Sequence, residues 1–107
     1  MRRGTTPTLK LKITGIDKDA LKDVFVTVAQ GSNKFTKSGD DVTYNEDEQV
    51  FNIRLTEEET LSFKPSAVSI QVRATTQDDE IVATNIRQVM MEDVLYDKPL
   101  FEESEEL

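Results

Sequence analysis

The feature of this chain that most restricts its fold is a strict alternation of apolar and polar side chains over residues 67–75. The apolar members are Val68, Ile70, Val72 and Ala74, and the polar members are Ser69, Gln71 and Arg73. Successive side chains of a β-strand point to opposite faces of its sheet, so this period of two predicts a strand with one buried face. Residues 8–13 and 49–55 show the same period and predict two more strands of this kind.

Further strand segments return about every ten residues and are separated by turn residues. Residues 24–30 are rich in β-branched side chains, and Gly31 begins a turn that leads to a strand around Phe35. A short strand with Val42 and Tyr44 follows. Residues 77–80 predict a hairpin tip, with residues 81–89 as the return strand. This rhythm is typical of an all-β antiparallel sandwich or barrel.

One short helical turn interrupts the strands near residues 56–63. Thr56 followed by Glu59 is a capping-box pattern, and acidic residues in a first turn favour the helix dipole. Pro65 disfavours a helical conformation at the residue before it, so the helix must be short. A second helical turn, capped by Asp17, is an option in the polar connection over residues 16–23.

Length and charge predict one domain with an acidic end. At 107 residues the chain is the size of a single domain, which we place at residues 1–96, followed by an acidic C-terminal tail at residues 97–107. Of the net charge of −8, residues 92–107 carry −6 and residues 1–91 carry −2. An acidic chain is a poor nucleic-acid binder, because phosphate contacts need a basic face.

The sequence offers no membrane segment and no secretory signal. No run of ten consecutive apolar residues occurs, and the N-terminal residues contain no apolar stretch of signal-peptide length. The chain contains no cysteine, which fits synthesis in the cytosol and rules out a disulfide framework. We therefore expect neither a membrane partner nor a nucleic-acid partner.

The residues that most catalytic sites require are absent. The chain has no histidine and no cysteine, and it contains neither a G-x-S-x-G nor an S-x-x-K motif. We therefore predict a protein that is not an enzyme and has no catalytic residues and no cofactor.

The acidic turns at residues 40–41, 45–48 and 78–80 offer oxygen ligands for calcium. They lack the D-x-[DN]-x-[DN]-G spacing, so solvated hairpin tips are the favoured interpretation and no metal site is assigned.

The best candidates for partner binding lie near the C-terminus: Met90, Met91, Leu95, Tyr96, Leu100 and Phe101. Two interpretations remain open, because these side chains can cover the domain's own sandwich or form an arm that adds to a partner's sheet or groove.

A basic N-terminal end is formed by Arg2, Arg3, Lys10 and Lys12. Its charges can provide solubility and protect an edge strand, or they can contact an acidic surface such as the tail of a neighbouring copy.

Four segments carry a resemblance to a known kind of protein: MRRGTTPTLKLKI, VFVTVAQ, LTEEETLSF before VSIQVR, and VLYDKPL. In this order they resemble small single-domain proteins from the tail and baseplate gene clusters of phages and prophages of Gram-positive bacteria. The resemblance covers nearly the whole chain, although each motif is short and structural. The acidic FEESEEL end is longer than that family pattern.

The resemblance implies an immunoglobulin-like antiparallel β-sandwich of about seven strands with one short helical turn. It also implies a structural protein of a tail or baseplate that acts through protein–protein contacts. Its partners would be other tail or baseplate proteins or copies of itself, and it would reside in the virion tail, or in the host cytoplasm before assembly. The alternative is a carbohydrate-binding module for host attachment, which the lack of tryptophan and the presence of only two tyrosines, Tyr44 and Tyr96, make less favourable.

The alternation also predicts which side chains form the core. These are Leu9, Leu11, Ile13, Val26, Val28, Phe35, Phe51, Ile53, Leu55, Leu61, Val68, Ile70, Val72 and Ile86.

Overall fold

The computed structural model of the chain describes residues 1–13, 17–98 and 100, which form two antiparallel sheets enclosing one hydrophobic core. The smaller sheet contains β1 (Thr8–Leu11), β4 (Val42–Asn45) and β5 (Val50–Arg54). The larger sheet contains β2 (Leu21–Gln30), β3 (Asn33–Ser38), β6 (Ala67–Thr76), β7 (Ile81–Ala83) and β8 (Arg87–Met90). Helix α1 (Glu57–Leu61) connects β5 to β6. Short 3₁₀ turns occupy Lys18–Ala20 and Gly39–Asp41.

The strand order confirms the predicted sandwich. The smaller sheet has the order β1-β5-β4, and the larger has the order β3-β2-β6, with both β7 and β8 paired to the far side of β6. All the strand pairs are antiparallel. The fold is therefore an all-β sandwich of the predicted class.

The sequence predicts one return strand over residues 81–89, whereas the structure divides it in two. Arg73 pairs with Ala83 and Ile70 pairs with Arg87, so residues 84–86 face only two residues of β6. The extra residue is a β-bulge, which bends a strand and reverses which side chains face inward. At this bulge Thr84 keeps the ladder bonded, because its hydroxyl accepts from the Val72 N–H at 3.1 Å and its own N–H donates to the Val72 carbonyl at 2.9 Å.

The bulge explains why the core assignment of Ile86 is wrong. In an unbroken strand Ile86 would face inward together with Val82. The extra residue changes the register, so that Val89, opposite Val68, is the next apolar residue directed toward the core. Ile86 is 62% exposed.

Most of the remaining predicted core is confirmed. The buried members are Val26, Val28, Phe51, Ile53, Leu55, Val68, Ile70 and Val72. The structure adds Leu21, Phe63, Ala74 and Met91 to this cluster. The predicted residues Leu9, Leu11, Ile13, Phe35 and Leu61 are only half-buried. Three of these belong to the segment that begins with β1, the edge strand of the smaller sheet.

Helix α1 begins with the capping box that the sequence predicts. The Thr56 hydroxyl accepts from the Glu59 N–H at 3.1 Å, and the Glu59 carboxylate accepts from the Thr56 N–H at 2.7 Å. Each of these backbone donors would otherwise lack a partner within the helix. Just beyond the helix, Phe63 is buried and packs against Phe35, with the two tilted rings 5.8 Å apart between centroids. The helix therefore closes one end of the sandwich.

The predicted helical turn after Asp17 is present as the 3₁₀ turn Lys18–Ala20. The Asp17 side chain makes no capping hydrogen bond there, although its carbonyl accepts from the Ala20 N–H at 2.9 Å. At Asp17, therefore, a backbone hydrogen bond and not a side-chain cap stabilises the turn.

Candidate functional site

The predicted partner-binding residues fall into two groups. Four of the six have exposed side chains: Met90, Leu95, Tyr96 and Leu100. Met91 is only 1% exposed and belongs to the core. Phe101 lies outside the described residues. The structure therefore presents four of these side chains to solvent.

Met91 is buried because it continues the alternation of β8. Val89 faces the core, Met90 faces outward and Met91 faces inward again. The Met91 N–H donates to the Ser66 carbonyl at 2.9 Å, which holds the residue beside the start of β6. Met91 thus fits the interpretation in which part of this segment covers its own sandwich.

The edge of the larger sheet exposes two isoleucine side chains that the sequence did not predict to be exposed. Ile81 is 66% exposed and Ile86 is 62% exposed, and with Met90 they lie along the edge formed by β7 and β8. We call Ile81, Ile86 and Met90 the apolar edge. One sequence signal points to it: Val82 and Val89 are seven residues apart, so both can face the core only if the strand contains an extra residue.

The two N-terminal arginines bind groups of their own chain. The Arg3 guanidinium donates to the Phe63 carbonyl at 2.7 Å, to the Leu61 carbonyl at 3.0 Å and to the Asp93 carboxylate at 2.8 Å. Arg2 donates to the Glu92 carboxylate at 2.7 Å. These contacts join the N-terminal segment to the segment after β8 and to the end of α1.

The backbone reinforces this junction. Arg2 and Glu92 form a parallel β-bridge, and the Arg3 N–H donates to the Glu92 carbonyl at 2.9 Å. The pKa of Asp93 is lowered from 3.8, chiefly by the hydrogen bond from the Val94 N–H and next by the hydrogen bond from Arg3. Both hydrogen bonds favour the ionised form of Asp93, which accepts from Arg3. We call Arg2, Arg3, Glu92 and Asp93 the terminal clasp.

A groove opens on the flank of the sandwich, between β1 and the strand pair β7 and β8. Its volume is about 480 Å³. Core side chains of the larger sheet form part of its wall, among them Leu21, Ile70 and Val72, and Leu11 and Ile13 contribute from the β1 side. The cationic residues Lys10, Lys12 and Arg87 also line it. The half-burial of Leu11 and Ile13 follows from this opening.

Tyr44, one of the two tyrosines, is engaged within the molecule. Its ring packs edge-on against Phe51 at 4.9 Å between centroids, and the Lys18 ammonium lies 5.1 Å from its ring centre. Tyr96 is exposed. A sugar-stacking surface would therefore have Tyr96 as its available tyrosine.

Within residues 1–13, 17–98 and 100, no group of three or more acidic side chains is arranged to hold a metal ion. No helix of that part of the chain is long and apolar enough to cross a membrane.

Comparisons with protein-family models, with curated proteins and with solved structures find no match. The resemblance to proteins of phage tail regions thus stays a prediction from the sequence motifs, and the surface features described above carry the functional argument.

Proposed function

We propose that this chain is a non-enzymatic structural protein of a phage or prophage tail or baseplate that works by binding other proteins. The observation that supports protein binding is the apolar edge, in which Ile81, Ile86 and Met90 are exposed along the edge of the larger sheet that β7, β8 and the bulge between them form. The assignment to a tail region is supported by the sequence resemblance.

An exposed edge strand is a natural place for a second protein to bind. Its unpaired backbone groups can extend a sheet into another chain, and soluble proteins usually protect such edges with charged side chains, bulges or short strands. Here β7 has three residues and β8 has four, so a bulge and short strands limit backbone pairing. The side chains nevertheless remain apolar. We infer that the edge packs side chain against side chain with its partner.

The exposed apolar residues after β8 also favour protein binding. Leu95, Tyr96 and Leu100 are all exposed, within nine positions of Met91 along the chain. Aromatic side chains and methionine are enriched at the centres of protein interfaces. A partner that covers both the apolar edge and this segment would bury several large apolar side chains. Each contributes about 1.5–3 kcal/mol if it becomes fully buried.

The experiment is co-expression of the chain with other proteins of a tail gene cluster, followed by light scattering on the purified complexes. The double variant Ile86→Lys/Met90→Lys is expected to abolish complex formation, because it places two charges in an apolar interface. The matched control is Thr36→Lys/Thr43→Lys, which adds the same charge at exposed positions of β3 and β4. Equal complex formation by both variants would show that the apolar edge is not the interface.

A glycan array separates this proposal from carbohydrate binding. Binding to host-surface glycans that Tyr96→Ala removes, together with no binding to tail proteins, would replace the proposal with the carbohydrate module. The protein-binding function predicts no such glycan signal.

A further inference from the structure

The flank groove lies where the sandwich leaves both of its sheets open. β1 is the terminal strand of the smaller sheet, and β7 and β8 form the terminal position of the larger one. The N-terminal residues cover only one end of this flank, where Met1 and Arg3 make backbone bonds to residues 90 and 92. Among the described residues, the rest of the flank beside the bulge is open and is walled by core residues such as Ile70 and Val72. An extended segment can fit between two sheet edges of this kind.

The charges of the groove select for an acidic occupant. Its described lining contains three cationic residues and no carboxylate, in a chain with 21 acidic residues. Lys10 pairs with Glu48 at 3.2 Å. None of the ion pairs formed among the described residues involves Lys12 or Arg87. These two charges are thus available to a carboxylate-bearing segment that enters the groove.

We propose that the groove binds the chain's own C-terminal segment, residues 101–107. This segment, FEESEEL, lies outside the described residues and carries four glutamates between Phe101 and Leu107. Its charge complements Lys12 and Arg87, and its two apolar residues suit the apolar walls. The segment therefore matches both chemical features of the groove.

The attachment point of the segment keeps it close to the sandwich. The Leu100 N–H donates to the Glu57 carboxylate at 2.8 Å, at the beginning of α1. Its seven residues reach at most about 25 Å from Leu100 when fully extended, which limits the surface that they can contact. Attachment to the same chain gives such a contact an effective concentration of roughly millimolar. The contact therefore forms without a strong intrinsic affinity, and another protein's acidic segment can displace it.

Paramagnetic broadening in the full-length protein tests this contact. The chain contains no cysteine, so a nitroxide on Ser104→Cys gives a single labelled site. We expect loss of amide signals from residues 10–13 and 82–87, with recovery of these signals in the added variant Lys12→Glu/Arg87→Glu and in high salt. The matched control Lys34→Glu/Lys64→Glu has the same charge change at exposed positions and is expected to keep the broadening.

Mixing separates the chain's own tail from that of another copy. Isotope-labelled wild type is combined with nitroxide-labelled protein of natural isotope abundance, so that broadening reports only contacts between molecules. The proposal predicts no broadening in this mixture. Broadening there would overturn the intramolecular contact in favour of a second copy, and an unbroadened groove in both samples would overturn the binding site itself. The dispersion of the amide spectrum shows in each case that the variant is folded.

Discussion

Single inward-facing side chains of β6 carry much of the packing between the two sheets. Val68 is fully buried, whereas its neighbour Ser69 lies on the opposite face of the same strand, paired with Ala29 and Gln88. An Asp at position 68 would place a carboxylate in an apolar core without a partner, which costs several kcal/mol, of the order of the whole stability of a domain. We expect Val68→Asp to be unfolded or aggregated.

The matched control for this substitution is Ser69→Asp. It adds the same charge one position along the strand but on the outer face, so the far-ultraviolet circular dichroism should remain that of a folded β-protein. A soluble and folded Val68→Asp protein would contradict the register between β6 and its neighbours.

For some residues of the core, the sequence alone was enough to predict burial. Alternation places Val68, Ile70 and Val72 correctly, because a strand between two partners has one face toward the core. It fails for Ile86 and leaves Met91 ambiguous. The burial of those two residues depends on an extra residue whose position is set by pairing with β6. The spacing of Val82 and Val89 can indicate that an extra residue is present, but local periodicity does not locate it.

The lowered pKa of Asp93 predicts that the stability of the chain depends on pH. Its pKa is lowered in the folded protein, chiefly by the Val94 N–H and then by Arg3. A carboxyl group with a lowered folded pKa contributes stability above its unfolded pKa and loses that contribution as the pH falls through the folded pKa. We therefore expect Asp93→Asn to be less stable than wild type at pH 7, with the difference shrinking below the reference pKa of 3.8.

Urea unfolding of both proteins at pH 7 and at pH 3 measures this difference. Asp97→Asn serves as the control, because Asp97 is exposed and forms no ion pair among those of the described residues. A wild-type advantage over Asp93→Asn that grows toward pH 3 would contradict the lowered pKa.

The sequence predicted helix α1, whose signals lie close together in the chain. It did not predict the division of the last strand, which depends on a distant pairing partner. Helix α1 and its capping box follow from Thr56, Glu59 and Pro65, which act within a few residues of one another. The division of the last strand into β7 and β8 instead depends on Thr84 bonding to Val72, twelve residues away. The groove and the apolar edge are both consequences of that division, so sequence reasoning did not find them.

The capping box provides a test at the scale of an element. Removing the hydroxyl in Thr56→Ala leaves the Glu59 N–H without its acceptor at 3.1 Å. Loss of an N-cap of this kind costs about 1 kcal/mol. We expect Thr56→Ala to lower the free energy of unfolding by about that amount, as measured by urea denaturation. Glu58→Ala, at an exposed helix position outside the box, should change it by less than about 0.5 kcal/mol.

The whole molecule is organised so that its N-terminal residues and the segment after β8 lie side by side. The sequence placed most of the net charge in residues 92–107 but could not reveal that Glu92 and Asp93 meet Arg2 and Arg3, about 90 positions away in the chain. Local sequence patterns report on neighbouring residues and do not show pairings of such long range. The terminal clasp also covers one end of the flank that the groove occupies.

The two arginines of the terminal clasp differ in burial, and this difference predicts unequal contributions to stability. The Arg3 side chain is 17% exposed and donates to two carbonyls at the end of α1 as well as to Asp93. Arg2 is 55% exposed, so its ion pair with Glu92 is largely screened by water. Hydrogen bonds that involve a charged group contribute about 1.5–3 kcal/mol. We expect Arg3→Ala to lower the free energy of unfolding by an amount in this range.

Arg2→Ala is the matched control, because it removes the same charge from the same segment and should cost less than about 1 kcal/mol. Hydrogen exchange locates the effect: Arg3→Ala should weaken the protection of amides in residues 60–63 and 90–92 together, since Arg3 joins these two segments. Equal losses of stability in both variants would mean that net charge, and not the bonds of Arg3 to the end of α1, holds the termini in place. Weakened protection at residues 90–92 alone would mean that α1 is held in place without Arg3.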